Sequence, residues 1–581
     1  MLESNHLNGA ASHFCDFKCR YDLPTSALLA LVGRVRMWGA RPTGVAPLVP
    51  RVVAQVAALQ SHSLALAILS ATAGCLLGWC TNHAGPWSLS LLALGAWQVS
   101  VLGGCRHSLF VGGLTMALAP IFWLSAGMFW VSDFVPDGMH ASRWQAVSVA
   151  FAVCASLACL LPLWFLLVLG ARRIQPNRRL NAGTVAGIWV LSQWAAMELA
   201  RTTGLIGNYA TLSLAWVDTP FARAWLPLVG VQGFEMLLVA LASLLGLMVW
   251  RKLHEPELAS RRSALTALTL ALLLVFMPSA DWTSPVGEPL AVYALQPSTS
   301  RQQEWTVAVR DQRLDQLLHA TAFAEPGAIA LSSETFFVEP PPNEGYGRWK
   351  EATQLASDRQ VHLVIGLPYG LRDNAGLHLM NAVVQISPQQ ESVYAKQKLA
   401  PIGEYLPGAK WLGPLYEWLT DAKTADVAIG PPGLAEPLFI GEHFVGASIC
   451  HELAFSDLIR QGAKVSGWMV NLANDAWAKN DSSYHKQVRS IARLRAMENG
   501  KTVVRVSEGG KSVSIDSAGR VIEEAGSFGE TTLKLQIQPR SGYTPFNIIS
   551  NYLPVLGIGI LFLCLAWTTN HIEIPRTRGE Y

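Results

Sequence analysis

The chain has 581 residues, of which 51% are hydrophobic and 15% charged, with 21 tryptophans and a net charge of +3. Soluble domains carry about 25% charged residues, so this composition excludes an ordinary soluble protein and points to a membrane protein of two or more units. A net charge this small gives no footing for nucleic-acid binding.

Residues 1–60 contain no apolar core after the start, so no cleavable signal peptide is expected. Within them, "SALLALVGRVRMWGARP" fits either an amphipathic surface helix or a disordered tail. "HFCDFKC" (13–19) places a His and two Cys at metal-like proximity, but no second ligand pair follows, which leaves plain reduced thiols.

A bilayer-spanning helix needs about 20 apolar residues. Such runs occur near 63–80, 87–105, 108–132, 145–170, 183–200, 226–250 and 264–280, and again at 551–569. Positive charge sets their orientation. The connection 171–181 holds Arg172, Arg173, Arg178 and Arg179, and the connection 251–263 holds Arg251, Lys252, Arg261 and Arg262. These place the N-terminus and both loops in the cytoplasm and 282–550 on the other side, with Arg576 and Arg578 back in the cytoplasm. The expected order is a cytoplasmic extension (1–60), a seven-helix transmembrane region (61–281), an extracytoplasmic domain (282–548), and a last helix with its tail (549–581).

From residue 282 the pattern changes. "EPLAVYALQP", "GAIALSSE", "VHLVIGLPYG", "LMNAVVQISP", "EHFVGASIC", "VSGWMVNLAN" and "KTVVRVSEGGKSVSID" carry strand signals. "RWKEATQLASDR", "SDLIRQGA" and "SYHKQVRSIARLRAMENG" predict helices, the last stopping at Gly500. Strand–helix alternation predicts a layered α/β domain, and about 270 residues suffice for its own core.

Of nine cysteines, only Cys450 lies between residues 280 and 550. A lone cysteine in an oxidising compartment is either a buried, inert strand residue or a thiol kept for reactivity. Cys450 stands where a strand ends and a helical segment begins, a place where backbone N–H groups can stabilise a thiolate or an oxyanion. A thiol nucleophile needs a base and a stabiliser of negative charge. Glu334, after "AIALSS", and Lys396, in "VYAKQKLAPIGEYLP", also stand at strand ends. Singly, each is a capping or solvated charge; in the order Glu, Lys, Cys they form a set.

That set resembles the nitrilase (carbon–nitrogen hydrolase) superfamily, and with the hydrophobic segments it is similar to a membrane-attached branch, the apolipoprotein N-acyltransferases. "SSETFF" matches the glutamate motif, "YAKQKLAPIGEYLP" the lysine motif, and "SICHELAF" the cysteine motif. "NLANDAWAKN", "MELARTTG" and "PLVGVQGFEMLL" also resemble family segments. The resemblance implies a polytopic α-helical membrane bundle of about eight transmembrane helices carrying an extracytoplasmic nitrilase-like αββα sandwich. It implies Glu334, Lys396 and Cys450 as catalytic residues, with Glu404 and Glu452 in support. It implies a fatty acyl chain passing from a membrane phospholipid through a cysteine thioester to the N-terminal amine of a diacylated lipoprotein, without cofactor or metal. The site would face the periplasm from a bacterial inner membrane. His451, Trp477, Glu198 and Arg201 are candidate substrate contacts. Glu198, Arg201 and Glu235 either meet a lipid headgroup or pair between helices.

Departures from the family pattern are His451 in place of the usual tyrosine, "GLIGNYATLSLAW" after the fifth span, and "SEGGKS" with Glu508 and Lys511 in place of an asparagine-rich turn. Two other functions share the triad: a membrane-tethered amidase that uses water, and membrane proteins of conjugal transfer. His485 is a candidate for the site entrance or a surface helix residue. No phosphate-binding glycine loop is present, so nucleotide use is not supported.

Overall fold

The stretch WSLSLLALGAWQVSVLGGCRH has no charge before Arg106, so it can satisfy its backbone within one helix while showing apolar side chains outward. In the computed structural model it forms the helix Trp87–His107, one of a group with Leu48–His83, Leu109–Gly127, Ala182–Thr203 and Pro220–His254. The structure describes residues 48–134, 151, 182–298, 305–338, 347–405, 429–550 and 557, apart from 84, 108, 204–206, 255–267, 270, 273–274, 374–375, 388–390, 402–403 and 527. Met1–His62 and Ser63–Tyr581 are separate compact units; the first is described only for the start of helix Leu48–His83. All that follows concerns the second.

Among the described residues, four helices are long and apolar enough to cross a membrane: His62–His83, Trp87–Arg106, Phe110–Gly127 and Pro220–His254. The expected span 183–200 is helical, but its apolar stretch, Val185–Ala195, is shorter. Nearly all of the expected spans 145–170 and 551–569, and part of 264–280, lie outside the described residues, as does "HFCDFKC". Helix Pro220–His254 is broken at Gly230, whose φ of 67° suits a residue without Cβ. Its second half starts at Val231, whose N–H donates to Glu498 Oε1 at 2.7 Å. Glu235 is buried and accepts from Thr211 Oγ1 and, at 3.0 Å, from the N–H of Ser213, so it caps the turn Leu212–Trp216. That role is neither of the two expected for it.

Fourteen strands follow among the described residues. β1 (Ser284–Pro285) pairs with β14 (Arg540–Ser541). One six-stranded sheet contains β2 (Leu290–Gln296), β3 (Ile329–Ser332), β4 (His362–Asp373), β5 (Gly376–Ile386), β6 (Glu391–Ala395) and β13 (Thr531–Ile537), in the order β13-β2-β3-β4-β5-β6. The other contains β7 (Leu438–Ile440), β8 (His443–Ile449), β9 (Trp468–Asn474), β10 (Val503–Glu508), β11 (Val513–Ile515) and β12 (Val521–Glu524), in the order β12-β11-β10-β9-β8-β7.

Strand side chains alternate between faces, and here both faces are covered. Val292 and Ala294 of β2 meet Trp468, Val470 and Leu472 of β9 in a core between the sheets. Ala291, Tyr293 and Leu295 of the same strand turn outward to Leu314 and Leu317 of helix Val307–Phe323 and to Ala352 and Ala356 of helix Gly347–Arg359. Helices Ser456–Val465 and Ser483–Asn499 cover the other sheet, and their apolar residues share a core with the hydrophobic bundle. The result is a helix–sheet–sheet–helix sandwich seated on the bundle.

Helix Ser483–Asn499 forms the seam. Gln487 accepts from Trp130 Nε1 at 2.9 Å and donates to Asn82 Oδ1 at 2.6 Å. Arg493 pairs with Asp218 at 2.7 Å, and Arg495 donates to Asn208 Oδ1 at 2.9 Å. Gly500 closes the helix with φ 62°, the left-handed stop expected of it.

Candidate active site

β3, β6 and β8 end at one edge of the sandwich. Glu334 comes two residues after β3, Lys396 directly after β6 and Cys450 directly after β8. Since β3 runs parallel to β4, and β4, β5 and β6 alternate, β3 and β6 deliver their residues to the same end.

Lys396 is 1% exposed and donates to Glu334 Oε1 at 3.0 Å and to Glu404 Oε1 at 2.8 Å. Burial disfavours its ammonium, but the charges of Glu334, Cys450 and Glu404 outweigh that and raise its pKa above the usual lysine range. Two of its three N–H bonds are directed at carboxylates, which leaves the third for a negative oxygen on a substrate. Asn381 of β5 donates to Glu334 Oε1 at 2.7 Å, and the Asn474 N–H donates to Glu334 Oε2 at 2.8 Å. Glu404 is held in turn by the Ala400 N–H at 2.6 Å.

Cys450 adopts φ 51°, left-handed and unusual for a side chain with Cβ. Such a turn between strand and helix lifts a nucleophile clear of its own backbone, as in the elbow of serine hydrolases. The residue keeps partial exposure and has no disulfide partner. Burial pushes its thiol well above the usual range; the Glu334 charge adds to this and the Lys396 charge opposes it. The thiol therefore rests protonated, with a carboxylate and an ammonium in electrostatic reach.

Glu452 ties the nucleophile turn to the lysine loop. Its carboxylate accepts from the N–H groups of Ile449 (2.7 Å), Gln397 (2.5 Å) and Lys398 (3.0 Å) and from Tyr394 OH (2.9 Å). Burial raises its pKa to about 7, against the pull of these donors and of Lys396. Glu404 thus touches the lysine head directly, while Glu452 acts through the backbone on either side.

His451 and Trp477 join an aromatic wall shared with the bundle. His451 stacks on Tyr209 (5.6 Å, 12°) and meets Phe455 edge-on at 4.9 Å. Trp130 lies 5.1 Å from Tyr209, 5.9 Å from Trp477 and 5.0 Å from Tyr484. Beneath the wall, Asp475 accepts from Tyr484 OH at 3.1 Å and pairs with Arg505 at 2.8 Å. Glu198 and Arg201 belong to helix Ala182–Thr203, but their side chains lie outside the described part. His485 flanks the wall, edge-on to Tyr484 at 5.8 Å, and packs against Phe528 at 5.0 Å and the Lys479 carbonyl at 3.0 Å.

Sequence reasoning missed Asn381, Tyr394 and Tyr209. The signal for Asn381 was an amide inside an apolar strand, "LMNAVVQI", where a buried polar group demands a partner.

Residues 349–544 match the family model described as carbon-nitrogen hydrolase. The chain is 27% identical over 450 residues to a protein of Nitrosomonas europaea named apolipoprotein N-acyltransferase, covering 75% of this chain and 84% of that one. It is 26% identical over 405 residues to one of the same name from Methylococcus capsulatus, covering 65% and 77%. A third, from Haemophilus ducreyi, is 25% identical over 510 residues, covering 85% and 96%. The similarity spans both the hydrophobic segments and the sandwich.

Proposed function

We propose that this chain, an acyltransferase of the carbon–nitrogen hydrolase superfamily, moves a fatty acyl group from a membrane phospholipid to the N-terminal amine of a diacylated lipoprotein. One observation carries the reading: Glu334 and Glu404 are hydrogen-bonded to the buried Lys396 as a single group beside a strained Cys450 turn, under a wall built partly by the apolar bundle.

In the first half-reaction, Glu334 takes the thiol proton and the sulfur attacks the ester carbonyl. Lys396 and backbone N–H groups near Cys450 stabilise the oxyanion. The C–O bond breaks, Glu334 returns the proton to the departing lysophospholipid oxygen, and the acyl group stays on sulfur as a thioester. In the second half, the acceptor amine attacks that thioester and gives a proton to Glu334. The C–S bond breaks and the proton returns to Cys450. Proton transfer of this kind contributes about 10²–10⁴-fold. His451 and Trp477 line the approach to the sulfur, and Glu198 and Arg201 serve the lipid headgroup at the end of their helix.

The arginine-rich loops 171–181 and 251–263 support a periplasmic sandwich and an inner-membrane bundle of about eight helices. The aromatic wall shields a thioester from water until the amine arrives.

The test supplies labelled phospholipid and a diacylated lipopeptide to the full chain. Expected are a fatty-acyl adduct on Cys450 and, with peptide, a triacylated product. Released fatty acid in place of acyl-peptide indicates an amidase that uses water, and full transfer by Cys450→Ala overturns the reading.

A further inference from the structure

Arg313 and Glu508 form a further buried ion pair behind the base. Arg313, on helix Val307–Phe323, is 5% exposed, and Glu508, at the end of β10, is 4% exposed. The pairing is bidentate, Nη1 to Oε2 at 2.9 Å and Nη2 to Oε1 at 2.7 Å. The guanidinium lies 5.4 Å from the ring centre of Trp305 and 5.5 Å from that of Phe336. A buried pair of this kind is weak evidence for stability, because desolvation offsets much of its attraction. What it holds is more informative.

Arg313 Nη1 also donates to the carbonyls of Phe336 (2.9 Å) and Thr335 (3.3 Å), the two residues after Glu334. Thr335 has φ 47°, a left-handed conformation that a β-branched residue keeps only when its surroundings impose it. From the other side, the Glu508 carbonyl accepts the Asp475 N–H at 2.7 Å. The preceding residue, Asn474, donates its backbone N–H to Glu334 and its side-chain amide to Thr335 Oγ1 at 3.2 Å. The pair therefore grips both backbone segments that hold the Glu334 carboxylate.

We propose that Arg313 and Glu508 are positioning residues for Glu334: the guanidinium holds the Thr335 turn in its left-handed form, and Glu508 fixes the guanidinium against β10. The inference rests on Glu334 being the base for Cys450. Neither residue touches substrate; each acts through the turn.

The experiment uses full-length Glu508→Gln and Arg313→Lys, with the folded fraction set by thermal unfolding. Three quantities are read per folded molecule: the single-turnover rate of Cys450 acylation by labelled phospholipid, the phospholipid KM, and the pH midpoint of Cys450 alkylation by iodoacetamide. Small displacements of a catalytic group cost up to about 100-fold, so a fall of about 10-fold to 100-fold in acylation rate is expected with KM unchanged. The charged and titratable groups facing the thiol are Glu334, Lys396, Asp475, Glu404 and Arg505, with Tyr209 and Tyr484 of the wall. When the Glu334 carboxylate withdraws, the others stay, and the alkylation midpoint moves to lower pH. A purely structural pair moves neither rate nor midpoint in the folded fraction, and that result overturns the proposal. If a single variant does not fold, Arg313→Gln combined with Glu508→Gln removes both buried charges and is read in the same way. Transfer by Cys450→Ala defeats the function proposed above, whereas normal acylation in these variants defeats only the positioning role.

Discussion

The backbone N–H of Asn208 donates to the carbonyl of Ala454 at 2.9 Å, joining a loop of the bundle to the turn that carries Cys450. The neighbouring Gly207 has φ 59°, and a Cβ there would come 2.7 Å from Ala454 Cβ and 3.0 Å from its carbonyl oxygen. Gly207→Ala meets two penalties together: left-handed strain of about 1–2 kcal/mol and a clash with backbone. The loop then lifts, and Tyr209 leaves its stack on His451. Acyl transfer is expected to fall at least about tenfold, since a misplaced site element costs rate far from the chemistry. Activity with unchanged circular dichroism checks this; wild-type turnover shows that the contact is dispensable.

Glu334→Gln separates the base from the charge. The Cys450 thiol is raised by burial first and by the Glu334 carboxylate second. Removing that negative charge leaves Lys396 to favour the thiolate, so the pH midpoint for alkylation falls. Turnover should nonetheless drop about 10²–10⁴-fold, because the proton acceptor is gone. A more reactive sulfur in a less active enzyme is the expected signature. A midpoint that rises or stays fixed speaks against contact between the two groups.

Local signals made the sandwich legible, and long-range contacts stayed hidden. Gly500 marked the end of helix Ser483–Asn499, and the strand-end positions of Glu334, Lys396 and Cys450 were visible in short motifs. "KTVVRVSEGGKSVSID" read as one strand but is β10 and β11, because Gly509, with φ 67°, turns the chain back on itself. Helix Val307–Phe323 escaped notice since its inward face mixes Leu314 and Leu317 with buried Arg313 and Gln316, which weakens the apolar period. β13 pairs with β2 across more than two hundred residues, a partnership that no local period encodes. Tyr209 was unreadable for the same reason: its partner His451 lies in the other half of the chain.

Glu452 gives the sandwich a pH dependence with a definite sign. Burial raises its pKa from 4.5 to about 7 in the folded protein. Between these values the folded state holds a proton that the unfolded state has released. Its contribution to stability is therefore present below pH 4.5 and fades as pH rises through about 7. Glu452→Gln removes that titration and keeps an acceptor oxygen for the Gln397 and Lys398 N–H groups, while the oxygen that takes the Ile449 N–H and Tyr394 OH is lost. The difference in thermal midpoint between wild type and variant should change across this window in the wild type's disfavour as pH rises. A difference independent of pH means that Glu452 titrates normally.

Lys396 is the cation between two carboxylates, so its replacement tests site and fold together. In Lys396→Met, Glu334 and Glu404 lose their common donor and face each other with Asn381 alone between them. Breaking a buried pair by removing one partner costs about 3–5 kcal/mol, so the thermal midpoint should fall clearly. Lys396→Arg keeps the charge but cannot place a fork of nitrogens in a pocket where the lysine head is 1% exposed. It should recover part of the stability and almost none of the acylation. Combining Lys396→Met with Glu404→Gln relieves the repulsion, restores stability and leaves almost no acylation, because only backbone N–H groups then meet the oxyanion. Thioester formation in that double variant, measured as an acyl adduct on Cys450, removes Lys396 from the chemistry.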